Sequence, residues 1–156
     1  MSGSQMGRES FRLAREAFER SAMEAEVSLS GEYRGAHAKV AGRCASGHAI
    51  NADPHSIRKG QGWCRTCRYG YDRVYLVSKV IRDELWYKIG VSGRDRRVAD
   101  HEYYGWSAVA EWWSADPMEH ERGILALLDT ERKILTPADM PQHGSGETFR
   151  RMDMLR

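Results

Sequence analysis

From Arg8 to Ser28, in RESFRLAREAFERSAMEAEVS, apolar side chains recur at Phe11, Ala14, Phe18, Ala22 and Ala25 with charges between them. Spacings of three and four predict an amphipathic helix with a narrow, mostly alanine stripe. Such a stripe can dock on the rest of the chain or on a second copy, so self-association through this helix is one expectation. LSGEYRG then reads as a linker. After residue 72 the period shortens. RVYLVSKVI and LWYKIGV are β-branched and aromatic runs joined by the polar RDE, which predicts an antiparallel hairpin. Residues 94 to 103 predict a helix, WSAVAEWWSA a third strand, and DPMEHERGILALLDTERKIL a second helix with Asp116 as N-cap and Pro117 at its first position. The expected fold class is α+β. Three segments are expected: an N-terminal helix and linker over 1–35, a small element over 36–71, and the α+β domain over 72–156.

The same periodicities say which residues face one another. Along the second strand Lys88 shares a side with Trp86 and Gly90, while Tyr87 lies with Ile89 on the other. On the helix that follows, Arg97, His101 and Tyr104 are spaced to form one face. On the second helix Met118, Ile124, Leu125 and Leu128 make the apolar stripe, and Glu121 projects into its middle. A carboxylate aimed at the core needs a cation, so Glu121 requires either an arginine such as Arg97 or a metal ion.

No apolar run approaches the ~18 residues that a membrane span needs, and MSGSQMGRES lacks the apolar region of a secretory signal. A cytoplasmic protein with no membrane partner is therefore expected. The net charge of +2 is unevenly spread, for in residues 36–71 six cations, Lys39, Arg43, Arg58, Lys59, Arg65 and Arg68, accompany one acid, Asp53. A compact basic element favours a polyanion, with nucleic acid the obvious one, and Arg43, Arg58, Lys59, Arg65 and Arg68 are the candidate contacts.

All three cysteines fall in that basic segment: Cys44 and His48 are separated by three residues, Cys64 and Cys67 by two, and the pairs by fifteen. Two close pairs of soft or borderline donors suit a tetrahedral Zn²⁺ closed by four protein ligands. A disulfide framework would leave one cysteine over. His37 and His55 are alternative fourth ligands, without the close pairing that His48 has to Cys44.

With these residues marked, two resemblances emerge. The order Cys44, Gly47-His48, Pro54, Gly60-Gln61-Gly62, Cys64 and Cys67 resembles the small zinc ribbons that accompany nuclease domains in phage and mobile-element proteins, whose implied job is DNA contact. Tyr75 in RVYLV, YKIG from Tyr87 to Gly90, Arg97 and His101 in RVADH, and Glu121 in EHERGILALL resemble the ordered motifs of the GIY-YIG nuclease superfamily. The nearest likeness is to a phage-associated subgroup with a Tyr-Lys-Ile-Gly second motif and a closing segment like GSGETF, which here carries Glu147 and Phe149. The first motif has Arg73-Val74 in place of Gly-Ile, and Lys88 stands where many members have tyrosine.

The resemblance implies a three-stranded antiparallel sheet flanked by helices and hydrolysis of a DNA phosphodiester with one divalent cation. Glu121 would hold Mg²⁺ or Mn²⁺, Arg97 would brace the scissile phosphate, and Tyr75 would help activate water, with His101 assisting that proton transfer or orienting the tyrosine. Lys88 would act as a base or a phosphate contact. Glu147 would be a second ligand or a cap to the fold. Arg94 and Arg96 would be solvated or touch DNA backbone, whereas Trp106, Trp112 and Trp113 are expected as core and surface anchors. The competing expectation is a zinc-dependent nucleic-acid-binding or assembly protein whose nuclease-like domain no longer cuts, and Lys88 is the residue that favours it.

Overall fold

The computed structural model describes residues 3–93, 97–128, 135, 138–140 and 148–150. The chain divides into two compact units, Met1–Arg68 and Tyr69–Arg156.

In the first unit, α1 (Gly3–Glu24) precedes β1 (Ser28–Leu29), β2 (Val40–Arg43), β3 (Ala49–Ala52), α2 (Pro54–Arg58) and α3 (Arg65–Tyr69). The helix starts before and stops short of the span predicted from its stripe. Its end is chemical: Glu26 takes a positive φ of 53°, Glu26 N–H donates to the Met23 carbonyl, and Val27 N–H donates to the Ala22 carbonyl at 2.8 Å. This is a Schellman closure, and the two residues it ties together, Ala22 and Val27, are both buried. Phe18 and Ala22 join Val27, Val40, Ile50, Ala52 and Cys64 in one core, with Tyr33 and Trp63 packed against Phe18. The stripe thus docks on its own chain at Phe18 and Ala22, while Phe11, Ala14 and Ala25 stay exposed.

The three short strands form an antiparallel sheet in the order β1-β2-β3. Arg43 pairs with Ala49, so Cys44 to His48 is the connection of the β2–β3 hairpin. Gly42 is required where β1 crosses, because a Cβ there would strike the Ser28 carbonyl oxygen.

In the second unit, β4 (Arg73–Ile81), β5 (Glu84–Ser92), α4 (Arg97–Tyr103), β6 (Ser107–Trp113), α5 (Pro117–Leu128) and β7 (Thr148–Arg150) follow in order. The expected hairpin is present, and Ile81 pairs with Glu84 across a two-residue turn. Arg82 and Asp83 have φ values of 52° and 63°, the backbone of a type I′ turn, whose twist matches that of the strands. The sheet departs from the expectation in one respect: it has four strands, in the order β6-β4-β5-β7, all antiparallel. The extra strand is only three residues long, too short for an alternation pattern to reveal.

Pairing fixes the faces. Tyr75 lies opposite Gly90 and Val77 opposite Lys88, so Tyr75, Val77, Lys88 and Gly90 share one side. Tyr87 is on the other, stacked on Phe149 at 5.6 Å. Tyr75, Val77, Trp86, Trp106, Leu135 and Met140 build the core, with Val98 of α4 packed against it. Asp116 caps α5, accepting from Glu119 N–H at 3.3 Å, and Pro117 is buried at the first helical position. α5 packs on β4 and β5, and its His120 ring meets Trp112 edge-on at 5.9 Å. No helix among the described residues is long and apolar enough to cross a membrane.

Candidate functional sites

The cysteine cluster is built by two turns. In the first, Gly47 N–H donates to the Cys44 carbonyl at 2.8 Å, with Gly47 at a φ of 83°, and Cys44 N–H donates to the His48 carbonyl. That turn brings Cys44 Sγ within 3.4 Å of His48 Nδ1. In the second, Cys64 opens α3, where its carbonyl accepts from Arg68 N–H and Cys67 N–H points at Cys64 Sγ from 3.4 Å.

The two turns converge. Cys44 Sγ is 3.8 Å from Cys67 Sγ, and His48 Nδ1 is 3.2 Å from Cys67 Sγ and 3.6 Å from Cys64 Sγ. All four donor atoms lie within 4.8 Å of one another. Bond lengths of about 2.3 Å to sulfur and 2.0 Å to nitrogen give tetrahedral edges of ~3.8 Å for two thiolates and ~3.5 Å for thiolate and imidazole. The donor set and its spacing therefore fit a tetrahedral metal ion. His48 completes the group, while His37 and His55 face each other at 4.8 Å.

Burial pushes the Cys64 thiol up to about 12. Burial also raises Cys44, but N–H groups of His48 and Ser46 and the Cys64 and Cys67 thiols bring it below its ordinary value. Gathering three sulfurs in a partly buried knot is costly unless a cation replaces their protons. The basic residues of the segment, Arg43, Arg58, Lys59, Arg65 and Arg68, are all exposed. Arg43 donates to the Gly47 carbonyl at 2.8 Å and Arg68 to the Gln61 carbonyl at 2.6 Å, so both brace the loops of the cluster.

A second group of functional side chains lies on the Tyr75 side of the four-stranded sheet. Tyr75 is 1% exposed, and its hydroxyl is 2.8 Å from His101 Nε2. Its ring lies over the Gly90 Cα, where any Cβ would overlap the phenol, and this is why the motif needs glycine there. His101 is fixed from below by the end of α4: Gly105 takes a φ of 82°, Trp106 N–H donates to the His101 carbonyl at 3.0 Å, and the Trp106 ring stands edge-on to the imidazole. Burial, then the charges of Lys88 and Arg97, lower the His101 pKa to about 4, against a smaller opposing pull from Asp100. The imidazole is neutral at pH 7, and Nδ1 is buried with no hydrogen-bond partner among the described residues. A donor N–H in that place is costlier to strand than a lone pair, which favours the tautomer with the proton on Nε2 facing Tyr75.

Lys88 is also 1% exposed. It lies between Val77 on β4 and Thr148 on β7, so the unforeseen fourth strand is what encloses it. Thr148 is itself fully buried and accepts from Leu135 N–H at 2.9 Å. The structure therefore joins Tyr75, Lys88 and His101 on one side of the sheet, with Arg97 near enough for its charge to act on His101. Tyr104 does not join them, since α4 closes at Tyr103 and Tyr104 is exposed, its carbonyl accepting from Lys79 Nζ at 2.6 Å.

Glu121 is 7% exposed, more buried than any apolar residue of its own stripe, as its position on α5 predicts. Trp106 is buried, but Trp113 is 72% exposed. Arg94, Arg96 and Glu147 lie outside the described residues. One residue escaped the sequence reading: Tyr71, 5% exposed, accepts from or stacks beneath Arg97 through both its hydroxyl and its ring. Nothing in RYGYD distinguishes it from Tyr69.

Chemically, a neutral imidazole donating to the phenol fixes the Tyr75 oxygen in one orientation, ready to take part in a proton transfer. Comparisons with protein-family models, curated proteins and solved structures gave no match for this chain.

Proposed function

We propose that this protein is a metal-dependent DNA endonuclease, with zinc in the Cys44, His48, Cys64 and Cys67 cluster and the surrounding cations contributing DNA contact. The observation that carries the reading is the 2.8 Å pair of Tyr75 and neutral His101 among the charges of Lys88 and Arg97. In this assignment Tyr75 helps activate the attacking water, His101 orients the tyrosine by donating from Nε2, and Arg97 neutralises the phosphate. Glu121 would hold Mg²⁺ or Mn²⁺, which binds through one or two carboxylates together with substrate phosphates and supplies charge stabilisation when present. The basic, exposed metal element supports polyanion binding.

The burial of Tyr75 and Lys88, each 1% exposed, favours a second reading, in which the domain keeps the constellation as a folded core and serves nucleic-acid binding without cleavage.

The deciding experiment is cleavage of mixed plasmid, phage and branched DNA with Mg²⁺ or Mn²⁺ by the wild type, by Glu121→Gln, and in the presence of a chelator. Cutting by the wild type alone is the expected result. Binding without cutting would establish the second reading.

A further inference from the structure

We infer that Tyr71 is the positioning residue for Arg97, holding its guanidinium in one orientation to receive a phosphate oxygen; the inference rests on the nuclease reading. Arg97 Nη2 donates to the Tyr71 hydroxyl at 2.9 Å, and the guanidinium carbon lies 5.4 Å from the centre of the same ring. One side chain thus constrains the arginine twice, by a hydrogen bond and by a cation–π contact. An arginine at the first position of a helix has many rotamers, and a planar donor that must meet a tetrahedral phosphate gains from losing them beforehand.

Tyr71 can serve because it is itself immobilised. It is 5% exposed, and Tyr69 stacks on it at 5.5 Å with the rings 29° from parallel. The next residue is tied on both sides: Asp72 N–H donates to the Ser92 carbonyl at 3.1 Å, and the Asp72 carbonyl accepts from Ser114 N–H at 2.9 Å. Gly93 completes the clamp. A Cβ at Gly93 would collide with the Gly70 carbonyl, so the chain leaving β5 passes against the backbone just before Tyr71 only because residue 93 is glycine. The segment that starts the sheet and the end of β5 are thereby locked together. The glycine of VSG belongs to the arginine's support.

The test uses the full chain with Mg²⁺ and duplex DNA. Tyr71→Phe removes the hydroxyl and keeps the ring, and should lower kcat by roughly tenfold with KM little changed, the loss of one charge-assisted hydrogen bond. Tyr71→Leu removes both constraints and should approach the defect of Arg97→Lys. The double variant Tyr71→Phe/Arg97→Lys should be no worse than Arg97→Lys alone, whereas multiplying losses would show that Tyr71 acts elsewhere and overturn the inference. A second readout does not depend on cutting: the Arg97 Nε–H resonance should be shifted by the Tyr71 ring and slow to exchange, and should move towards that of a free arginine in Tyr71→Leu. An unmoved signal would overturn the inference. A wild type that cuts no DNA would instead remove the nuclease reading, and the resonance would still decide whether Tyr71 holds Arg97.

Discussion

His101 shows how one buried side chain can set a pH limit. Its pKa in the folded chain is about 4, against an ordinary histidine value of 6.5. Above pH 6.5 both folded and unfolded chains leave it neutral, and it contributes no pH dependence. Between 6.5 and 4 the unfolded chain takes up a proton that the folded chain refuses, so stability falls as the pH drops through that window, by up to about 3 kcal/mol in total. Urea unfolding at pH 7 and pH 4.5 should show this loss in the wild type and a smaller one in His101→Gln, carboxylates accounting for the remainder. A His101 ring that titrates near 6.5 by NMR would contradict the burial argument. Much of this residue-scale chemistry was legible beforehand. Helical spacing put His101 on one face with Arg97 and strand alternation put Lys88 on the side away from Tyr87, but neither could reveal the Tyr71–Arg97 contact, which joins residues 26 apart through a glycine crossing.

Elements were readable in proportion to their length. The nine-residue strands β4 and β5 and the capped helix α5 follow directly from period and cap chemistry, because a long pattern averages out exceptions. β1 and β7, with two and three residues, have no period to read, and only their pairing defines them. The four-donor cluster was legible because ligand spacing is a chemical rather than a periodic signal, although spacing could not show that Cys44 to His48 closes a hairpin. The β4–β5 turn offers a test at this scale. Arg82 and Asp83 both occupy positive φ, which asparagine and glycine tolerate better. Replacing Arg82-Asp83 by Asn-Gly should therefore raise stability by about 1 kcal/mol, read as a higher urea midpoint with an unchanged slope, even though Arg82 loses its 2.6 Å contact with Asp139. A lower midpoint would mean that this exposed ion pair outweighs the turn.

At the scale of the molecule, each unit encloses a hydrophobic core of its own, and only the first includes sulfur from the metal cluster. Cys64 belongs at once to the donor group and to the core that receives Phe18 and Ala22 of α1. Removing a metal ion held by this donor group should therefore loosen the N-terminal helix as well as the loops around it. Cys64→Ser, or strong chelation of the wild type, should abolish metal content and lower the helical circular dichroism signal, while the Tyr75–His101 unit keeps its own cooperative transition. Unchanged helicity after complete metal loss would show that the apolar contacts of Phe18 suffice. The late strand β7 carries a different consequence. Because Thr148 closes the side of Lys88, the sheet is finished only after α4, β6 and α5 have been made, and until then β5 presents an open edge with a lysine along it. The order of synthesis thus separates the β4–β5 hairpin, which pairs neighbouring segments, from the enclosure of Lys88, which waits for β7.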